Sequence, residues 1–205
     1  MSLTGFLFPE RTGAERVVDI FSMLPKLESE RLIIRPVNMR DAKDIYAYSK
    51  DPDVARYVLW DAYESLKDAR VYIRFLRRCY RSGSPASMGI ELKQEKKIIG
   101  TIGFMTFQPD AMCAEVGYSL SKEYWNRGIM TEALERMLKF GFEDLQLHRI
   151  EAMHEVRNPA SGRVMQKCRM TLEGTMRQKL YNKGEWVDVN LYSILQEEWK
   201  EKPHL

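Results

Sequence analysis

The sequence predicts a mixed α/β domain whose sheet is mostly antiparallel, with helices on both faces. Three observations carry this. The apolar spacing changes from a helical period to a period of two near Met88 and back again near Met130. Runs of alternating residues follow one another across short turns, which joins antiparallel neighbours. One strand–helix–strand unit, from Ala114 to Val156, supplies a βαβ-like crossover and so a parallel pair.

Residues 1–25 carry Gly5, Pro9, Gly13 and Pro25 and read as a lead-in with one short helix at 15–23; residues 26–200 read as a single domain. Residues 31–35 form a strand that Pro36 ends. Asp41 occupies an N-cap position before Ile45, Tyr46 and Tyr48. A second helix spans 66–80 with Ala69, Ile73 and Leu76 on one stripe, and Gly83-Ser84-Pro85 closes it. Met88, Ile90 and Leu92 alternate, a charged turn follows, and 98–107 completes a hairpin. After Pro109-Asp110, alternation of Ala114, Val116, Tyr118 and Leu120 marks a third strand.

The helical period returns over 130–142, and 150–156 is again a strand. Asn158-Pro159 starts the next helix, since Asn caps orphan amides and Pro suits the first helical position; that helix runs to Cys168. Strands at 171–177 and 186–195 flank a turn at Asn182-Lys183-Gly184.

Composition excludes several classes. The 205 residues include 32 basic and 29 acidic ones interspersed along the chain, so the net charge of +3 gives no argument for nucleic acid. No apolar run approaches the roughly 20 residues needed to span a bilayer, and Phe6-Leu7-Phe8 is too short for a signal-peptide core. Cys79, Cys113 and Cys168 are odd in number and widely spaced, against a disulfide framework or a zinc site. The expectations are a reducing cytoplasm, no membrane, no nucleic acid and no metal.

The informative segment runs from Gly117 to Ala133, where a half-buried strand enters a loop that opens an amphipathic helix at Gly128. The first amides of a helix lack internal partners and carry partial positive charge, which favours a phosphate. Gly128 has no Cβ to hold a phosphate off the backbone, and Arg127 adds a charge. Taken alone this is a weak signal, because many glycines before helices only turn the chain. A nucleotide-binding loop of another kind is disfavoured, since neither G-x-x-x-x-G-K-[ST] nor a post-strand G-x-G-x-x-G occurs.

The stretches Glu115-Val116-Gly117-Tyr118-Ser119-Leu120 and Tyr124-Trp125-Asn126-Arg127-Gly128-Ile129-Met130-Thr131-Glu132-Ala133 resemble the acetyl-CoA signature of the GNAT superfamily. In particular they resemble its ribosomal-protein N-terminal acetyltransferase branch. Leu27 to Pro36, Asn158-Pro159-Ala160-Ser161 and Leu172-Glu173-Gly174 agree with that branch, so the resemblance covers nearly the whole chain. It implies a sheet with a central splayed strand pair, acetyl-CoA as cofactor, and acetyl transfer to a protein N-terminus or small-molecule amine in a ternary complex. The same resemblance implies that Tyr118, Ser119 and Leu120 present backbone to the pantetheine arm. The amides of Arg127, Gly128, Ile129, Met130 and Thr131 would hold the pyrophosphate, and Asn158 would reach the cofactor arm. Dimers are common in this group, so a homodimer is a further expectation.

Acetyl transfer needs a neutral amine, a polarised thioester oxygen and a stabilised thiolate. Glu115 is the candidate general base, although it reads equally as a solvated charge on an open sheet face. Ser161 is the candidate for stabilising the leaving sulfur, against the plain alternative of a first-turn capping serine. The superfamily often has tyrosine seven residues after the asparagine, where this chain has Met165, and the branch usually has glycine where Arg169 stands. Loss of the tyrosine leaves open a non-catalytic acyl-CoA sensor of the same fold. His154 reads as a packed strand residue. Tyr57 and Trp60, with Leu59 and Tyr63, are candidates for an acceptor pocket or for core, and the acids Asp51, Asp53, Asp61 and Glu64 lie nearby.

Overall fold

The computed structural model describes residues 13–201. Its elements run α1 (Gly13–Ser22), β1 (Leu27–Glu28), β2 (Leu32–Arg35), α2 (Ala42–Ser49), α3 (Pro52–Ala55), α4 (Leu66–Ser82), β3 (Ser87–Leu92) and β4 (Lys97–Gln108). Then follow β5 (Cys113–Leu120), α5 (Ile129–Lys139), β6 (Arg149–Glu155), α6 (Pro159–Lys167), β7 (Thr171–Asn182), β8 (Glu185–Leu195) and α7 (Gln196–Lys200).

The eight strands form one sheet in the order β1-β2-β3-β4-β5-β6-β8-β7. Every neighbouring pair is antiparallel except β5 and β6, which run parallel because α5 carries the chain back across the sheet. Strand alternation buries one side chain in two on each face, so two apolar clusters form. One holds Val17 and Phe21 of α1, Leu134 and Met137 of α5 and Met165 of α6 against Val116 and Ile150. The other holds Ile45 of α2 and Ile73 and Leu76 of α4 against Ile98. Helices therefore cover both faces, and the expected mixed, mostly antiparallel sheet is present.

Several local expectations are corrected. Asp41 holds the N-cap position of α2 as expected, but its side chain makes no cap bond there. Asn38 starts a 3-10 turn (Met39–Asp41) by accepting the Arg40 amide at 2.9 Å, so Asp41 is already in the right-handed region. Its carboxylate is left to bind the Arg35 guanidinium at 2.9 Å and to accept the Asn38 amide at 2.7 Å. β7 continues beyond 177 to Asn182, because a register shift between Met176 and Leu180 absorbs the polar run that broke the period of two. α5 ends at Lys139 and passes into a wider turn (Phe140–Asp144). The short helices α3 and α7 were not anticipated; Asp51 and Pro52 start α3 by cap and fixed φ.

Candidate active site

β5 and β6 pair only over Cys113↔Arg149, Ala114↔Ile150 and Glu115↔Glu151. β5 then runs on to Leu120 and β6 to Glu155 without further pairing to each other. The other edge of β5 stays paired to β4 as far as Leu120↔Gly100, so the fork opens on one side. Backbone amides and carbonyls along the fork have no ladder partner, and such groups need a partner when water is excluded. The expected splayed pair is thus a property of the sheet.

At the open end of the fork, Ser121 enters a 3-10 turn (Lys122–Tyr124) and α5 begins. Asn126 and Gly128 both take left-handed conformations, with φ of 59° and 73°. Gly128 is the N-cap of α5, and the first helical bond runs from the Glu132 amide to the Gly128 carbonyl at 3.1 Å. The amides of Ile129, Met130 and Thr131 precede that bond and have no acceptor within the helix. Glu132 does not compete for them: it binds the Arg31 side chain at 2.6 Å and the Ser29 hydroxyl at 2.7 Å. Arg31 also donates to the Arg127 carbonyl at 3.0 Å, which fixes the loop. The Arg127 guanidinium lies over the Tyr124 ring, 5.5 Å from its centroid. The Leu120 carbonyl is occupied, accepting from the Trp125 indole at 2.8 Å. Orphan amides around a glycine without a Cβ, beside an unpaired strand edge, fit a diphosphate joined to an amide-bearing arm.

α6 lies across the fork from α5. Asn158 caps it, accepting the Ser161 amide and donating to the Ser161 hydroxyl at 3.0 Å. Tyr118 bridges from β5 to α6, its hydroxyl donating to the Ser161 carbonyl at 3.1 Å, and burial pushes that phenol up. Met165 is buried in the core, and so brings no polar group to the fork. His154 is a packed strand residue: Nδ1 donates to the Glu155 carbonyl at 2.8 Å. Nε2 is buried without a partner, and a Cβ on Gly162 would stand 2.7 Å from it. Arg169 keeps the left-handed geometry expected of glycine, with φ of 64°.

The opposite face of the fork carries charge. Glu115 and Glu151 are register partners, so their side chains rise side by side. Arg149 binds Glu151 at 2.7 Å and Glu173 at 2.9 Å, leaving Glu115 without a bonded cation. Burial first, and then the charge of Glu151, pushes the Glu115 carboxyl above its ordinary range, with Lys179 opposing. Further along this face Ser119 meets the Thr101 hydroxyl at 3.1 Å, and the buried phenols of Tyr48 and Tyr72 both reach Thr101.

The β7–β8 turn closes over this face. Lys183 donates to the carbonyls of Val58 at 3.2 Å and Trp60 at 3.0 Å, and meets Asp61 at 3.2 Å. Trp60 packs on Tyr63 with centroids 5.4 Å apart, half-buried against the second core cluster, and Tyr57 is half-buried. Asp53 is taken up by Lys122 at 2.6 Å. Glu151, Arg149, Lys183 and the Tyr48–Tyr72 pair were not singled out from the sequence. Only the alternation of β6 signalled Glu151; the others reach the site through tertiary packing.

Known proteins resemble this arrangement. Residues 31–171 match the family model described as an acetyltransferase (GNAT) domain. An uncharacterized N-acetyltransferase of Bacillus subtilis, YoaA, is 35% identical over 173 residues, covering 84% of this chain and 98% of the relative. The [ribosomal protein uS5]-alanine N-acetyltransferase of Escherichia coli is 27% identical over 190 residues, covering 87% and 95%. A crystal structure of a GNAT-family acetyltransferase from Bacillus anthracis superposes with a TM-score of 0.76 at 30% identity, covering 85% of this chain and all of that one. The chain belongs to the GNAT acetyltransferase family and is an N-acetyltransferase.

Proposed function

We propose that this GNAT acetyltransferase moves the acetyl group of acetyl-CoA directly to a primary amine, with both substrates bound at once. The acceptor is a protein N-terminus or a small amine; the ribosomal-protein alanine specificity of the Escherichia coli relative favours the former. The observation that carries the reading is the fork itself: a diphosphate-fitting helix start and an unpaired strand edge on one face, and an unclamped carboxylate, Glu115, on the other.

Acetyl-CoA supplies an activated acyl carbon and a thiolate leaving group. The amides of Gly128 to Thr131 hold its diphosphate, with Arg127 adding charge. Backbone of Tyr118, Ser119 and Leu120 guides its arm, and Asn158 reaches that arm from the start of α6. Glu115 takes the proton from the acceptor ammonium, directly or through one water, so that a neutral amine attacks. A raised carboxyl suits this task, because a base with greater proton affinity abstracts more readily near neutral pH. Ser161 stands at the α6 start, where its hydroxyl can meet a thiolate, and Tyr57 and Trp60 wall the acceptor side. The reading places the enzyme in the cytoplasm, and Cys79, Cys113 and Cys168 are free thiols.

Incubation with acetyl-CoA and a panel of amines, including peptides beginning with Ala or Ser, tests it through thiol release. Release above the blank without acceptor is expected. Cofactor binding with no turnover on any acceptor would favour the sensor of the same fold.

A further inference from the structure

α4 is amphipathic in an unusual sense: its outer face is almost purely cationic. Lys67, Arg70, Arg74, Arg77, Arg78 and Arg81 fall within about 100° of the helix circumference. All six are exposed, while Ala69, Ile73 and Leu76 on the inner arc are buried. Asp68 is the helix's one acid, and its carboxylate is occupied at the N-terminus by the amides of Glu64 and Ser65. The helix therefore holds a net charge of +5 in 17 residues of a chain whose total is +3. The near-balance of the whole chain conceals this, and helical period alone sets the six cations on one surface.

The stripe is also unneutralised. Elsewhere Arg31, Arg35, Arg149 and Arg157 each bind a carboxylate. Among the described residues, no hydrogen bond or ion pair holds any of the five arginines of α4. Adjacent like charges on a helix destabilise it, so intramolecular stability gives no reason for the arrangement. Beside the stripe, Val71 and Phe75 are 49% and 55% exposed, which places one aromatic ring about 60° around the helix from Arg78, flanking the cationic arc.

We propose that the outer face of α4 binds a single-stranded segment of nucleic acid, with the arginines on the phosphates and Phe75 stacking on a base. The exposed ring supports this partner over an acidic peptide, which brings no flat base to stack on it. Six cations from residue 67 to residue 81 span about 21 Å, or one charge per roughly 4 Å. Arginine predominates over lysine five to one, and its planar fork matches phosphate oxygens in pairs. An exposed ring adjoining such a stripe is the platform on which an unstacked base settles. This surface is separate from the fork, and the assignment is independent of the catalytic reading.

Fluorescence anisotropy with labelled U12 and dT12 tests it on the whole protein at several salt concentrations. Binding is expected to weaken with salt at a log–log slope of about −3.5, for five phosphates on a single strand. The triple variant Arg70→Gln/Arg74→Gln/Arg78→Gln should reduce that slope by about 2. Phe75→Ala should weaken binding about fivefold or more while leaving the slope unchanged. A preference for U12 or for dT12 identifies the strand as RNA or DNA, and equal affinity assigns the backbone as the recognised feature; each supports the proposal. Unchanged acetyl-CoA affinity in the variants reports an intact fold. The proposal is overturned if neither oligonucleotide binds at low salt or if the triple variant keeps the wild-type slope. Tighter, arginine-dependent binding of polyglutamate or of phosphatidylserine vesicles would overturn it too, assigning the stripe to an acidic protein or a membrane.

Discussion

Glu115 of β5 and Glu151 of β6 stand opposite each other at the last paired register before the strands part, and Arg149 binds only the second of them. Burial first, and then the charge of Glu151, hold the Glu115 carboxyl above its ordinary range. The sheet thus produces inequality between two chemically identical groups, at the point where the fork begins.

Replacing Glu115 with Gln should lower kcat/KM about 10²- to 10⁴-fold, the usual contribution of a general base. In the wild type the rate should rise with pH through a value above the ordinary glutamate range, since only the ionised form accepts a proton. Stability should move the other way. A carboxyl raised in the folded state contributes stability that is present below about pH 4.3 and lost as pH rises through the folded value. Thermal melts should therefore show Glu115→Gln gaining on the wild type at pH 7 and converging with it near pH 4.

Glu151→Gln removes the neighbouring charge, which lowers the proton affinity of Glu115. The acid limb of the kcat/KM profile should shift to lower pH, with Glu115 still required. A limb that stays in place in this variant would remove Glu151 from the electrostatics of the site.

At Gly128, an added Cβ meets nothing closer than 3.6 Å, so the cost of Gly128→Ala is conformational, arising from φ of 73°. That cost is about 1–2 kcal/mol, which in a chain of this size lowers Tm by about 2–8 °C. Calorimetry should show a larger loss in acetyl-CoA affinity, because relaxing φ moves the amides that precede Glu132.

Gly162→Ala drives a methyl group to 2.7 Å from His154 Nε2 and should destabilise the protein. Combined with His154→Ala, the same change should cost less than it does alone, and a double-mutant cycle of chemical denaturation curves measures the difference.

Lys183→Met removes three donors that hold the segment carrying Trp60. As an exposed contact it should change stability by less than about 1 kcal/mol. KM for a peptide acceptor should rise several-fold while the affinity for acetyl-CoA stays the same, read by steady-state kinetics and calorimetry.

Helix α6 was legible from Asn158-Pro159, because a cap is a local bond between neighbours in sequence; Asn158 does accept the Ser161 amide. The same reasoning placed Asp41 at the N-cap of α2 but not its bonds, because its carboxylate accepts the Asn38 amide of the preceding turn and binds Arg35, six residues away. β7 outran its expected end because its bulge is stabilised by pairing to β8, a partner that the strand's own residues do not specify.

Period and caps, acting over three or four residues, let the sequence alone determine the order of the longer strands and helices, the parallel crossover and the loop that opens α5. What tertiary structure decided was proximity between distant residues. It brought Glu151 beside Glu115 and carried Lys183 to the Trp60 carbonyl. Such contacts depend on register and on which face each helix turns inward, and both are set by packing of the whole core rather than by any local run of residues.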